Sequence, residues 1–202
     1  MFDELNFSLD TTLLLHCFLS VLLVLLAAIC LGFFFSGIRN FAASHNPFGA
    51  NLINYLTFPG VVHHELSHAL FAFLTGAKVT EIKLFRIHHK DGRLGYVSYA
   101  PRGNFIMMSI QKVLSSVAPI VMGFISCSLL YLYARPALED SLWQTALLYY
   151  GLVSIILHMS LSKQDIKVMK SGILVVILGM TVGFYAFGFD LIEILQLGDL
   201  LQ

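Results

Sequence analysis

Long apolar runs limit this chain more than any other feature of its sequence. From Thr12 to Ser36 there is no Asp, Glu, Lys or Arg, and a run of that length is enough for a helix to cross a bilayer core of about 30 Å. Similar runs occupy Tyr55–Gly76, Phe105–Ala134 (its membrane part predicted as Val113–Tyr133), Leu142 to about Leu161, and Gly172 to about Phe189. Inside a bilayer, backbone polar groups have no water to bond, so such runs can only be helices. Composition agrees: 57% of residues are hydrophobic and 12% are charged, against about 25% charge in soluble domains. The expectation is an α-helical polytopic membrane protein with about five transmembrane helices. It forms a single integral-membrane domain over residues 1–202, with its core at about 55–172.

Formal net charge is zero, so nothing points to nucleic acid. Cys17, Cys30 and Cys127 lie within apolar runs and form no C-x-x-C pair, so they read as packing residues. The N-terminus, MFDELNFSLD, is acidic where a secretory signal would be basic, so the first run is not expected to be cleaved.

The stretch Ala77–Arg102 has a different character. Val79, Ile82, Leu84 and Ile87 interleave with Lys78, Thr80, Lys83 and Arg86, Asp91-Gly92 is a turn signal, and LGYVSYA resumes a β-rich pattern. The pattern predicts a β-hairpin inserted after the second span, Lys78–Ile87 paired with Leu94–Ala100. Gly37–Asn54 reads as a mixed loop with room for a short interfacial or re-entrant piece, and Ser162–Ser171 as a polar connection. With five spans, Lys78, Lys83, Arg86, Lys90, Arg93, Arg102, Lys163, Lys167 and Lys170 share one side, and only Arg39 and Arg135 lie in the loops opposite. The positive-inside rule then puts the N-terminus in the cytoplasm and the C-terminus outside.

The second run carries His63-His64-Glu65-Leu66-Ser67-His68. His64 and His68 stand four apart, so on a helix they project from one face and can share a Zn²⁺ ion. Glu65, next to the first ligand, can take a proton from a water bound at the open coordination position. An ionisable Glu between two His inside a span is expensive to keep without a metal to offset it. A catalytic zinc needs a third protein ligand, and Asp165 is the candidate; the alternative is a surface acid paired with Lys163 or Lys167. His158, seven residues earlier, shares its face if the helix continues. It is a candidate substitute ligand or a donor to an oxyanion or to Asp165, with an interface histidine as the other reading. His63 points about 100° away from His64 on an ideal helix, which suits support or packing rather than ligation. His88 and His89 read as part of a solvated turn, and Glu81 as part of a solvated strand face. Pro59-Gly60 can break the helix just before the motif.

HHELSHALFAFLTGAKVTEIKLF, then GYVSYAP, then the apolar helix containing Ala118-Pro119, resembles the site-2-protease (M50) class of intramembrane zinc metallopeptidases, in particular its small M50B-like branch. The resemblance covers roughly Tyr55–Gly172. It implies a zinc metalloendopeptidase with one Zn²⁺ per chain held by His64, His68 and Asp165, and with Glu65 as general base. The hairpin Lys78–Ala100 would hold the substrate extended. The implied partners are a membrane-anchored or transmembrane protein or peptide substrate and the lipid bilayer, in a multi-pass protein of the bacterial inner (plasma) membrane. The sequence departs from the family's second motif, an Asn- and Pro-containing run ending in Asp-Gly. Here it reads LHMSLSKQDIKVMKSG, with Ile166 after the Asp and no Pro. That departure motivates the alternative of a catalytically inactive relative that binds transmembrane partners.

Overall fold

A computed structural model describes residues 10–44, 47–86, 94–138 and 141–195. The chain is mainly helical, in the order α1 (Thr11–Ser44), α2 (Pro47–Leu56), α3 (Phe58–Leu74), β1 (Lys78–Lys83), β2 (Tyr96–Ala100) and α4 (Phe105–Leu129). A π-helical turn (Leu130–Ala134) leads into α5 (Arg135–Leu138), followed by α6 (Leu142–His158), α7 (Lys163–Lys170), α8 (Ile173–Phe187) and α9 (Leu191–Ile194). It divides into two compact units, Met1–Ala27 with Leu174–Gln202, and Ala28–Ile173.

Among the described residues, two helical stretches are long and apolar enough to cross a membrane, Thr11–Ile38 and Phe105–Leu138. A third crossing results if α6 and α7, bent by 54° at their junction, count as one span. Five were expected. Helices α3 and α8, with 17 and 15 residues, are about 25 Å or less in length, shorter than a typical hydrocarbon core.

Four local expectations change. The region read as a mixed loop is largely helical: α1 runs on to Ser44, and α2 precedes the motif helix. The polar connection after the fourth run is helix α7, which Ser162 caps. The fourth helix does not continue from His158 to Asp165, because the chain breaks between α6 and α7. The hairpin is shorter than expected, with Lys78 opposite Ala100 and Lys83 opposite Tyr96, and a bulge between Val79 and Glu81. Arg86 still donates its N–H to the Leu94 carbonyl at 2.7 Å. The Asp91-Gly92 turn, His88 and His89 lie outside the described residues.

In the unit Ala28–Ile173, α3 packs against α4 and α6 through small side chains. Its buried positions include Gly60, Ser67, Ala69 and Ala72, and those of α4 include Ser115, Ser116, Ala118 and Gly123. Without a hydrophobic driving force between helices in lipid, close approach of this kind supplies the packing. At the α3–α6 crossing, Ser154 accepts the Gly60 N–H through Oγ (2.8 Å) and donates its hydroxyl to the Thr57 carbonyl (2.9 Å). That pair of bonds satisfies backbone groups where Pro59 opens the helix. Buried Gln111 ties the hairpin's exit to the end of α3. Its Oε1 accepts from Arg102 N–H, and its Nε2 donates to the Thr75 and Arg102 carbonyls.

In the other unit, Asp190 caps α9 through the N–H groups of Ile192 and Glu193, and its second oxygen meets His16 Nδ1 at 2.7 Å. Ser20 on α1 accepts the Leu191 N–H.

Candidate metal centre

The motif folds as the middle of α3. Glu65 and His68 are buried, and His64 is half-buried. Four residues make just over one helical turn, and the two imidazoles meet edge to face with centroids 4.7 Å apart. Their Nε2 atoms are 3.1 Å apart. Asp165, the third helical residue of α7, brings Oδ1 to 3.5 Å from His68 Nε2. One ligand atom each from His64, His68 and Asp165 lies within 4.8 Å of the others. Among the described residues this is the grouping that could hold a metal ion.

The hydrogen bonds behind the rings decide what that grouping can accept. His64 Nδ1 meets the His158 carbonyl at 2.8 Å, and His68 Nδ1 meets the Ser115 carbonyl at 2.7 Å. A carbonyl oxygen only accepts, so each Nδ1 carries the proton. In the neutral rings each Nε2 therefore presents a lone pair. Two such lone pairs at 3.1 Å, facing a carboxylate oxygen, repel one another unless a cation lies between them. Imidazole nitrogens and a carboxylate form a donor set that suits zinc, and the residues present fit that ion.

Asp165 is held by a capping box. Its Oδ2 accepts the Ser162 N–H at 2.7 Å, and its own N–H donates to Ser162 Oγ at 3.1 Å. One oxygen is thereby committed to the helix start and the other faces the histidines.

His158 contributes through its carbonyl. Its ring Nδ1 donates to the Ser154 carbonyl at 3.0 Å. His63 leaves the cluster: its Nε2 bonds Ser126 Oγ at 2.9 Å, and it lines a separate apolar groove with Leu66, Leu70, Phe73, Val79 and Ile82.

A cavity of about 1030 Å³ opens over the three ligands and Glu65, lined also by β2, Lys112, Ser116, Lys163 and Lys167. Gly95 covers Glu65 so closely that a Cβ there would lie 2.7 Å from Glu65 Cγ. Tyr99 lines the same cavity. Burial pushes its phenol up, a hydrogen bond with Ser115 draws it partly back, and the Asp165 charge raises it further, so it stays a protonated donor at neutral pH. Tyr99, Ser115 and Ser162 were not foreseen from the sequence. Of these, only Ser162 left a signal there, its spacing of three before Asp165 ahead of Ile166 and Met169.

A family model described as peptidase M50B-like matches residues 37–196. The chain belongs to the M50B-like peptidases. The matched region takes in α2 through α9 and every residue of the cluster. Membership and the apolar helices together indicate a membrane protein of a protease-like kind, in a family that is generally zinc-dependent. No curated protein and no solved structure compared with the chain matches it.

Proposed function

We propose that the protein is an intramembrane zinc metalloprotease that hydrolyses peptide bonds of membrane-embedded or membrane-anchored substrates. One observation carries this reading: His64, His68 and Asp165 converge as three acceptors within 4.8 Å of one another, beside a buried glutamate and under an open cavity.

A zinc ion held there supplies Lewis acidity, which polarises a peptide carbonyl and makes water a stronger acid. The remaining steps belong to the chain. Glu65 takes the proton from the attacking water and returns it to the leaving amine. His64 and His68 keep Nε2 toward the reacting centre because their Nδ1 protons are spent on carbonyls. The β2 strand lines the cavity and holds an unwound substrate segment by strand addition, which frees carbonyls that a helical substrate keeps paired. The protein in this reading is multi-pass, with its N-terminus and the lysine-rich segments around the hairpin and α7 on the cytoplasmic side of a bacterial plasma membrane.

The test is E65Q in purified protein, assayed with a transmembrane reporter peptide. Zinc content should match wild type while cleavage falls to background. Cleavage retained by this variant refutes Glu65 as the base, and wild-type protein that takes up no zinc refutes the metallopeptidase reading altogether.

A further inference from the structure

The three ligands of the proposed centre sit on two helices, and each is met from behind by a backbone group. Two of those groups lie at helix ends, and the third lies on a helical turn that contains a proline. The His158 carbonyl that accepts from His64 lies at the last residue of α6, where carbonyls lose their intrahelical partners. The Ser162 N–H that binds Asp165 Oδ2 is at the N-cap of α7.

The Ser115 carbonyl is the unexpected case, because Ser115 lies in the interior of α4. A carbonyl in a helix interior normally accepts the N–H four residues on. Four residues on from Ser115 is Pro119, the proline inside α4, which has no N–H to give. Its ring also crowds the carbonyl four residues back and tilts it outward. Pro119 is fully buried, so water cannot fill the vacancy, and His68 Nδ1 occupies it at 2.7 Å. The contact is reinforced in the other direction, with Ser115 Oγ donating to the His68 carbonyl at 3.2 Å.

We propose that Pro119 and Ser162 are positioning residues for the metal ligands: Pro119 releases the Ser115 carbonyl to fix the His68 ring, and the Ser162 capping box aims Asp165 Oδ1 at the two histidines. The proposal rests on the zinc reading above. It also accounts for the altered second motif. Although the chain lacks the proline and the Asp-Gly step seen in the family's usual form, the capping box gives its aspartate a fixed orientation. P119A restores an N–H that competes with His68 for Ser115 and lets that carbonyl return toward the helix axis. S162A removes the hydroxyl half of the capping box, whereas S162T keeps it.

The experiment measures zinc affinity by chelator competition on the full chain in detergent micelles, with Co²⁺ absorption as a report on ligand geometry. Gel filtration and circular dichroism establish that each variant is folded. P119A and S162A should each lose zinc about 10–100-fold more readily, the usual cost of removing a partner behind a ligand, with altered Co²⁺ bands. S162T should stay within about threefold of wild type. Wild-type affinity in either P119A or S162A overturns the proposal, as does an S162T that behaves like S162A. S162 lies at an exposed helix start, so its variants remain informative if P119A fails to fold. Zinc uptake by wild type separates failure of this proposal from failure of the metal site itself.

Discussion

Replacing Gly60 by alanine tests whether helix packing holds the candidate centre together. A Cβ at Gly60 would lie 1.9 Å from the Ser154 carbonyl oxygen, 2.6 Å from its carbon and 2.7 Å from His158 Nδ1. The first two are backbone atoms of α6, so no rotamer change relieves the clash. The helices must part by about 1 Å or more to restore ordinary contact. Overpacking of this kind costs about 1–3 kcal/mol. Parting also stretches the Gly60 N–H to Ser154 bond, and its loss adds about 0.5–1.5 kcal/mol, since the Gly60 N–H keeps the Thr57 carbonyl as a partner. The expected destabilisation is therefore about 1.5–4.5 kcal/mol, read as the midpoint shift in a denaturant titration of the micellar protein. The same movement carries His158, whose carbonyl holds His64, so zinc affinity should fall about 10–100-fold as well. Gly151 on α6 has open space around its Cβ position. There alanine should be neutral or stabilising by up to about 1 kcal/mol, which controls for a general effect of the substitution. A G60A protein with wild-type stability and zinc affinity would refute the argument that this crossing sets the position of His64.

Two further outcomes are expected. Q111L removes three hydrogen bonds from a side chain that is 1% exposed and should cost about 2–4 kcal/mol, measured by the same titration; a change under about 0.5 kcal/mol contradicts the tie between the hairpin's exit and α3. G95A places a methyl 2.7 Å from Glu65 Cγ and 2.8 Å from the carbonyl oxygens of Lys83 and Leu84; cleavage should drop about tenfold or more through misplacement of the base, with zinc content unchanged, and full activity would show that the close cover over Glu65 is irrelevant to it.

The parts of the fold that were readable in advance are those encoded by local spacing. His64 and His68 share a face because four residues make about one turn, and that remains true whatever packs around them. The strand pairing from Lys78 and to Ala100 follows from alternation, a pattern that strand geometry imposes directly. In the stretch Ser162–Ser171 a polar composition hides a helix. Ser162 and Asp165 spaced by three, with Ile166 and Met169 following, mark a helix start that composition obscures. The supposed continuity from His158 to Asp165 failed for a related reason: face arithmetic presumes an unbroken helix, and the chain turns at Met159–Ser162. Asp165 reaches the histidines from a new helix instead. The partners of the imidazoles were not legible at all. They are main-chain carbonyls of residues 47 and 94 positions away, and a carbonyl has no letter in the sequence. Pro119 was visible only as a proline in a span, because what it releases matters only once α3 lies beside α4.

The choice of carbonyls behind the imidazoles also has an electrostatic reason under the zinc reading. Asp165 and an ionised Glu65 together carry two negative charges, which a divalent ion balances. The two histidines are neutral ligands, so the assembly of ion, Asp165 and Glu65 is uncharged as a whole. A carboxylate behind either ring, a frequent arrangement at zinc sites, would leave the assembly with a net negative charge. In a low-dielectric surrounding an uncompensated charge costs several kcal/mol. A carbonyl orients the same proton and adds no charge, and the proline within α4 and the end of α6 at His158 are what make such carbonyls available inside a packed bundle. Lys112, Lys163 and Lys167 line the cavity above the ligands, where longer side chains can reach water. Lys163 and Lys167 are exposed while Glu65 and His68 are buried, so these two basic groups of the cavity stay solvated and the buried part of the site stays close to neutral.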